Sequence, residues 1–160
     1  QQQHAHEQTA NSNNDFGIYL HNADDNNVSC NWVQNNTNAG FYLTSGSTGN
    51  TIERNNIIEN GVYNGTTGGY EWQFCNYQSD NVEAKYNWWG TDVPSEIAAS
   101  IKEDTGNVSY EPFLDGPSPC APGYREPAPI PVPEFSPIGL AALIGILSVV
   151  LAVATMRREE

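Results

Sequence analysis

Two stretches of the sequence match each other: residues 17–33 read GIYLHNADDNNVSCNWV, and residues 40–57 read GFYLTSGSTGNTIERNNI. Their first four residues coincide after 23 positions (17 to 40), and their Asn-rich halves coincide after 24 positions (26 to 50). A looser third copy, NVEAKYNW, starts at Asn81. A period in the low twenties is typical of a solenoid, in which each repeat forms one coil and buries its apolar face against its neighbours.

Asn marks the predicted corners of these coils. It accounts for 18 of the first 90 residues and recurs beside aliphatic and aromatic residues. Asn tolerates turn conformations and forms hydrogen bonds through both its side chain and its backbone. Coils stacked about 4.8 Å apart would therefore join Asn to Asn in a ladder. Two apolar stacks are expected inside the solenoid: Leu20 over Leu43, and Val28 over Ile52 and Val82.

The two ends of the predicted solenoid differ. Residues 1–15 are almost entirely polar, so we expect a flexible N-terminal segment. Pro94 opens a short helical stretch, because Pro is tolerated in the first turn of a helix, and residues 107–114 follow as a last extended segment. This helix and strand would cap the lowest coil. We therefore predict an all-β solenoid of about three coils over residues 16–114.

The sequence changes character after the solenoid. Residues 115–137 are rich in Pro and predict a semi-rigid stalk. The uncharged run from Ile138 to Met156 holds nineteen residues, and at about 1.5 Å each it would span roughly 28 Å, close to a bilayer's hydrocarbon core. Arg157 and Arg158 follow at once, and basic flanks stay cytoplasmic. We predict one transmembrane helix, a cytoplasmic tail of residues 157–160 and an ectodomain outside the cell membrane.

The charge of the chain argues against a nucleic-acid partner. Its formal net charge is -13, and only four basic residues precede the C-terminal tail: Arg54, Lys85, Lys102 and Arg125. Such a surface repels phosphate backbones. We therefore expect no binding to DNA or RNA.

The three cysteines leave the redox state open. An odd count does not complete a disulfide framework. Outside the cytoplasm, Cys30 and Cys75 would pair across coils and leave Cys120 in the stalk. An unpaired set fits the sequence equally well, and no pair has the spacing of metal ligands.

The repeats resemble those of a known family. The units GIYL with NNVSCNWV, and GFYL with NTIERNNI, resemble right-handed parallel β-helix repeats of the NosD-like or carbohydrate-binding and sugar-hydrolase type. The segment Asn87–Gly90 (NWWG), followed after a short helix by VSYEPFL, resembles the closing element of such β-helices. The resemblance implies a right-handed parallel β-helix.

The C-terminal tail carries a second resemblance. Pro133, Glu134 and Phe135 precede the hydrophobic run, and Arg157 and Arg158 follow it, an arrangement similar to the PEF-type sorting signals of archaeal surface proteins. The resemblance implies recognition by an archaeosortase-like membrane enzyme, cleavage near Pro133 and attachment to a lipid. Without that enzyme, the tail would remain as a transmembrane anchor.

Several residues are candidates for modification or metal binding. Four sequons fit N-linked glycosylation, at Asn27, Asn35, Asn64 and Asn107. Asn64 lies in a Gly-flanked loop and is the preferred site, although chance matches are expected in so Asn-rich a chain.

Asp24 and Asp25 offer hard oxygen ligands for calcium, or form a solvated turn. A weaker metal candidate is formed by His4, His6 and Glu7, which an exposed flexible end explains better. The family resemblance does not by itself predict copper here, because no His, Cys and Met cluster accompanies the repeats.

Two further sets of residues bear on function. Six aromatic residues could form a stacking face for sugars or pack within the solenoid: Tyr19, Tyr42, Tyr63, Tyr70, Trp72 and Tyr77. A sugar hydrolase needs paired carboxylates, and only Glu53 over Glu83 offers such a stack. We predict a non-enzymatic cell-surface protein acting in adhesion, envelope architecture or glycan contact, with surface glycans or envelope proteins as partners. The alternative is the C-terminal part of a carbohydrate-active β-helix enzyme whose catalytic coils lie upstream.

Overall fold

The computed structural model describes residues 4–125, and nearly all of its regular structure is short strand. The elements in chain order are β1 (His4–His6), β2 (Thr9–Asn11), β3 (Phe16–His21), β4 (Asn27–Ser29), β5 (Trp32–Gln34), β6 (Ala39–Thr44), β7 (Thr51–Glu53), β8 (Asn56–Ile58), β9 (Val62–Asn64), β10 (Gly69–Glu71), β11 (Phe74–Tyr77), β12 (Val82–Glu83), α1 (Pro94–Ala99), β13 (Ile101–Glu103) and β14 (Val108–Ser109).

The strands of successive coils stack in parallel. Three sheets run along the molecule, with strand orders β1-β4-β7, β2-β5-β8 and β13-β11-β6-β3, and β12 pairs with β14. Strands β9 and β10 form the antiparallel exception, a hairpin. The predicted all-β parallel β-helix is confirmed, with about four coils where about three were expected.

The additional coil is the N-terminal one, so the prediction of a flexible segment over residues 1–15 was wrong for its described part. Strand β1 pairs with β4, and β2 pairs with β5. Ala5 and Ala10 pack against the core. Two small apolar side chains are enough here, because polar residues near them bond to the coil below: the backbone N–H of Gln8 donates to Asn31 and that of Asn13 donates to Asn36.

Aliphatic and aromatic residues stack along the interior. Leu20 lies over Leu43 and Val28 lies over Ile52, as predicted. Val82 does not continue the second stack but pairs with Val108. The spacing from Asn55 to its counterpart Asn87 grows to 32 residues from the earlier 24, and this longer coil shifts the register.

Most corners follow one local rule. A residue with positive φ precedes an Asn that points inward, as at Cys30, Arg54 and Tyr86, where φ is 57° in each case. Asn itself enters left-handed conformations readily, yet here it mostly follows the left-handed residue. The buried amide of Asn55 accepts both the N–H and the Nδ2–H of Asn31, at 3.0 and 2.9 Å. The Asn repetition of the sequence is therefore the repetition of these bonds.

The C-terminal part closes the last coil. Strand β13, which follows α1, pairs with β11, and Ile97 of α1 is fully buried. Residues 115–125, the first part of the predicted stalk, lie against the coils: the N–H of Ser118 donates to Asn56 Oδ1 at 2.6 Å, and Ala121 is buried.

A disulfide joins Cys30 to Cys120, with 5.2 Å between the Cα atoms. The predicted pairing of Cys30 with Cys75 was wrong, because these residues belong to different sides of the coil. Cys30 follows β4 at a corner, whereas Cys75 lies within β11 in another sheet. Cys75 is a buried free thiol, and burial raises its pKa to about 12.

The predictions for the tail lie outside the described residues. These are the sorting motif at Pro133, Glu134 and Phe135 and the transmembrane helix from Ile138 to Met156 with its flanking Arg157 and Arg158. Within residues 4–125, no helix has the length and apolar character needed to cross a bilayer.

Candidate functional site

Four aromatic side chains gather on the outer surface of one sheet: Phe16, Tyr19, Tyr42 and Tyr77, called here the aromatic face. They lie on the neighbouring strands β3, β6 and β11. Side chains alternate across a strand, so inward Leu20 and Leu43 leave Tyr19 and Tyr42 outward, directly paired with each other.

Phe16 joins this surface because the alternation breaks beside it. A Cβ on Gly17 would lie 2.6 Å from both Val33 Cγ1 and Asn36 Nδ2, so this position faces the crowded interior. Ile18 also packs against the core. Two successive inward positions leave Phe16 outward. Simple alternation counted back from Leu20 assigns Phe16 to the interior, so the sequence pattern missed it.

The rings of the aromatic face are stacked rather than scattered. Tyr42 lies between Phe16 and Tyr77, with ring centroids 4.1 and 5.1 Å away, and Tyr19 meets its edge at 5.5 Å. Both faces of Tyr42 are therefore covered. Tyr19 is 52% exposed and Tyr77 is 40% exposed, so these two rings carry the aromatic surface that a ligand could reach.

Polar groups border the same rings. The hydroxyl of Tyr19 lies 3.2 Å from His21 Nδ1. Burial, with the neighbouring Tyr77 and Cys75, raises the pKa of the Tyr42 phenol. The surface thus combines apolar rings with hydroxyls that can form hydrogen bonds.

The other predicted aromatic residues lie elsewhere. Tyr63 and Tyr70 face each other across the β9–β10 hairpin, with centroids 5.1 Å apart. Trp72 lies under Lys102, whose Nζ is 5.2 Å from the ring centroid. The single stacking face expected from sequence is therefore divided among three places.

The proposed metal ligands Asp24 and Asp25 occupy a corner. Asp24 Oδ1 accepts the backbone N–H and the hydroxyl of Thr48, at 2.7 and 2.9 Å, and the backbone bond is the main cause that lowers its pKa. Asp25 has a φ of 56°. The Asp24 carboxylate thus bonds within the corner, and calcium binding there stays a prediction.

The carboxylate stack expected of a hydrolase does not form. Glu83 pairs with Ser109 on the neighbouring strand and receives Lys85 Nζ at 3.0 Å. Glu53 pairs with Ser29, and its carboxylate lies 3.9 Å from Arg54 Nε. The shifted register of the fourth coil separates the two acids.

The sequons differ in accessibility. Asn27, Asn35 and Asn107 are exposed. Asn64, the preferred site, is half-buried and donates its Nδ2 to Glu71 Oε1 at 2.7 Å. Because Nδ2 is the atom that a glycan modifies, the other three sites are the more accessible ones, and glycosylation stays a prediction for all four.

Soft metal donors are sparse in the described region. Cys30 and Cys120 are consumed by their disulfide, and Cys75 is buried as a neutral thiol. His21 is exposed beside Tyr19. Across residues 4–125, no group of three or more His, Cys, Asp or Glu residues could hold a metal ion.

A family model described as periplasmic copper-binding protein (NosD) matches residues 2–93. Neither curated proteins nor solved structures gave a match. The described donors do not fit the copper ion in the family's description, since they form no ligand cluster. The match nevertheless spans 92 of the 160 residues (2 to 93), and those residues build most of the coils. The chain therefore belongs to the NosD family.

Proposed function

We propose that this protein is a non-enzymatic glycan-contact module of the cell envelope, whose rigid β-helix presents the aromatic face to a saccharide. The proposal is carried by one observation: Tyr19 and Tyr77 are exposed on the outer surface of one sheet, and both of their rings pack against the ring of Tyr42 between them.

The location agrees with contact outside the cytoplasm. The family is described as periplasmic, which suggests a periplasmic or extracellular site. A disulfide such as Cys30–Cys120 persists in oxidising compartments and is rare in the cytosol. Both features favour a partner met in the envelope or beyond it.

The chemistry of the aromatic face suits a neutral sugar. Aromatic rings bury large flat areas against apolar surfaces, and pyranose rings have such surfaces on their C–H faces. The rings are already packed against one another, so binding would freeze little side-chain motion. The net charge of -13 disfavours polyanionic glycans. Phenol hydroxyls and His21 at the border would bond sugar hydroxyls.

The tail would hold this module at the membrane. In this proposal the segment from Ile138 to Met156 is the anchor, and Pro133, Glu134 and Phe135 direct its processing by an archaeosortase-like enzyme. Intact mass of the native protein tests this part: a C-terminus near Pro133 with added lipid mass supports processing, and retention of Arg157 and Arg158 contradicts it.

The glycan contact is tested by affinity electrophoresis of the full chain through a panel of soluble neutral polysaccharides. Replacing both contact rings (Tyr19→Ala with Tyr77→Ala) is expected to weaken retention about tenfold, from about 0.5–1.5 kcal/mol per aromatic contact. Tyr63→Ala is the matched control, because Tyr63 is 56% exposed but lies on the hairpin.

Three outcomes would contradict the proposal. The first is that no polysaccharide retards the protein. The second is that the Tyr63 variant loses as much retention as the double variant. The third is that the polysaccharide is shortened during incubation. The last result would instead favour the carbohydrate-active enzyme. Chain length measured by size-exclusion chromatography distinguishes it from simple binding.

A further inference from the structure

Three side chains from consecutive coils form a row on the outer surface of the sheet that contains β5 and β8. Trp32 pairs with Asn56 in the parallel register, and Asn56 pairs with Trp88 of the next coil. Their chain neighbours Val33 and Ile57 lie in the core, and side chains alternate along a strand, so the row faces outward. We call Trp32, Asn56 and Trp88 the tryptophan row. It shares no residue with the aromatic face.

A segment of the same chain covers the middle of this row. Residues 115–125, called here the strap, contain a tight turn from Ser118 to Ala121, in which the N–H of Ala121 donates to the carbonyl of Ser118 at 3.3 Å. Pro119 takes the second position of the turn, where proline is favoured because its φ is already fixed. Asn56 and Ser118 are 0% and 1% exposed where they meet, while both tryptophans of the row are half-buried.

The row holds the strap by its backbone. Asn56 Oδ1 accepts the backbone N–H of Ser118 at 2.6 Å, and Asn56 Nδ2 donates to the carbonyl of Ser118 at 3.3 Å. One side-chain amide thus satisfies the donor and the acceptor of a single peptide residue. This pairing does not depend on which side chain the bound residue carries. Because Ser118 is enclosed, however, that side chain has to be small.

The disulfide between Cys30 and Cys120 locks the strap in place. Cys30 is buried and Cys120 is half-buried, so Cys120 Sγ is the sulfur that an external thiol reaches more easily. A dithiol would attack Cys120 and release the thiol of Cys30, and its second thiol would then displace Cys120. The dithiol ends as a disulfide, and its two protons end on the two cysteines. The strap is then held by noncovalent contacts alone.

We propose that the tryptophan row is a docking site for a proline-containing peptide turn of a partner protein. The strap is its built-in occupant and is released when a dithiol reduces the disulfide. The seated strap indicates what fits: a small residue followed by proline, with the backbone of the small residue paired to Asn56. Trp32 and Trp88 lie one coil to either side of Asn56, about 4.8 Å away. Their rings would pack against proline, as in other aromatic grooves that bind proline-rich peptides.

The proposal is tested by ¹H–¹⁵N NMR titration of the full chain with a synthetic peptide of residues 115–125. The peptide carries Cys120→Ser, so it cannot form a disulfide. The indole N–H signals of Trp32 and Trp88 are the reporters. We expect a saturable shift of both signals in the reduced chain. In the oxidised chain, peptide binding should be weaker by about a hundredfold, because a tethered competitor acts at a high effective concentration.

A double variant disarms the strap and leaves the row intact. Ser118→Pro removes the N–H that Asn56 accepts, and Cys120→Ser prevents the crosslink. This variant should bind the peptide more tightly than the reduced natural chain does, because its own strap competes less. The reduced natural chain is the second host if the double variant is unstable.

Matched substitutions in the double variant locate the effect. Asn56→Ala removes both bonds to the peptide backbone and should weaken binding about tenfold or more. Asn27→Ala removes an exposed amide on β4, which belongs to another sheet, and should leave binding unchanged.

Several results would overturn the proposal. Equal binding to the oxidised chain and the double variant would mean that the peptide binds away from the covered row. An absent shift in the double variant and in the reduced chain would make the strap a structural cover only, and an equal loss with Asn27→Ala would remove the role of Asn56. A concentration-dependent dimer of the reduced chain in size-exclusion chromatography would assign the row to the strap of a second copy. None of these results depends on Tyr19 or Tyr77, so the glycan proposal stands or falls separately.

Discussion

Two polar ladders run along the coils and end in different ways. The first passes from Asn31 to Asn55 and is continued by Asn87 of the fourth coil. The second passes from Asn36 to Asn60, and there Gln73 closes it at 2.8 Å. The last member of the first ladder is another Asn of the repeated motif, whereas the last member of the second is Gln73, whose side chain is one methylene longer than that of Asn.

The cap coincides with an insertion. In the second coil only two residues separate Asn36 from β6, which starts at Ala39, but the whole β9–β10 hairpin separates Asn60 from β11. Gln73 stands at the end of that insertion and lines a cavity of about 120 Å³ beneath it. The fold therefore departs from the repeat where the second ladder stops, and it keeps the repeat where the first ladder continues.

Each ladder also has its own cover. Residues 115–125 lie over the first one, through the Cys30–Cys120 disulfide and the bond between Ser118 and Asn56. The hairpin and α1 lie at the end of the second. One cover is fixed covalently and the other by packing, so the two ladders should respond differently to the same kind of change.

The largest effect is expected from breaking the continuous ladder at its middle. Asn55→Ala removes the acceptor for two Asn31 donors and the side-chain donor to the carbonyl of Val28. Asn87 Oδ1 loses its bond from Asn55 Nδ2 but keeps the bond from the backbone N–H of residue 55. Each buried polar group left unpaired costs about 1–3 kcal/mol. We expect a loss of about 3–5 kcal/mol in the free energy of unfolding, measured by urea denaturation.

The control for this change is Asn35→Ala, at an exposed corner position. Its side chain is exposed, so its loss should be small, about 1 kcal/mol, which is the cost of placing Ala at the positive φ of 55° that Asn35 adopts. Equal losses at Asn35 and Asn55 would mean that Asn acts through its corner conformation and not through the ladder.

Removing the covalent cover should have the next largest effect. The disulfide closes a separation of 90 residues, and such a long loop restricts the unfolded chain strongly. Replacing both Cys30 and Cys120 by Ala should cost about 2–4 kcal/mol, measured by the same denaturation. Cys75→Ala is the control for losing a buried sulfur without losing a crosslink. If reducing agent leaves the wild-type midpoint unchanged, the crosslink does not hold this cover.

The repeat itself predicted the regular part of the molecule. Gly17 and Gly40, the inward aliphatic residues and the recurrent Asn were enough for coils, stacks and ladders, because each contact joins equivalent residues of adjacent coils. The first coil escaped notice because its inward residues are only Ala5 and Ala10. The repeat is recognised in the sequence by its large apolar residues, whereas this coil is held by backbone pairing of its strands with those of the next coil.

The irregular part could not be predicted in the same way. Gln73 and Cys120 each bond to a partner that no repeat identifies, 13 residues away for Asn60 and 90 residues away for Cys30. The candidate sites share this limit: Tyr19 over Tyr42 follows from the repeat, but Phe16 requires the break at Gly17, and the tryptophan row requires its cover by the strap.

The smallest loss of stability is expected from shortening Gln73, the residue that closes the second ladder, and this change tests the comparison of the two ladders most directly. Gln73→Asn keeps the amide but removes one methylene, so it should no longer reach both Asn60 and the carbonyl of Trp89. We expect a loss of about 1–3 kcal/mol by urea denaturation, with the NMR shifts of Gly69 and Gly90, which line the same cavity, changing together. The reciprocal control is Gln78→Asn, a buried amide that bonds Ser47 away from the cavity; it should leave those two glycines unshifted. If Gln73→Asn is as stable as the natural chain, the length of the side chain at position 73 does not matter. The second ladder could then end in Asn, as the first one does.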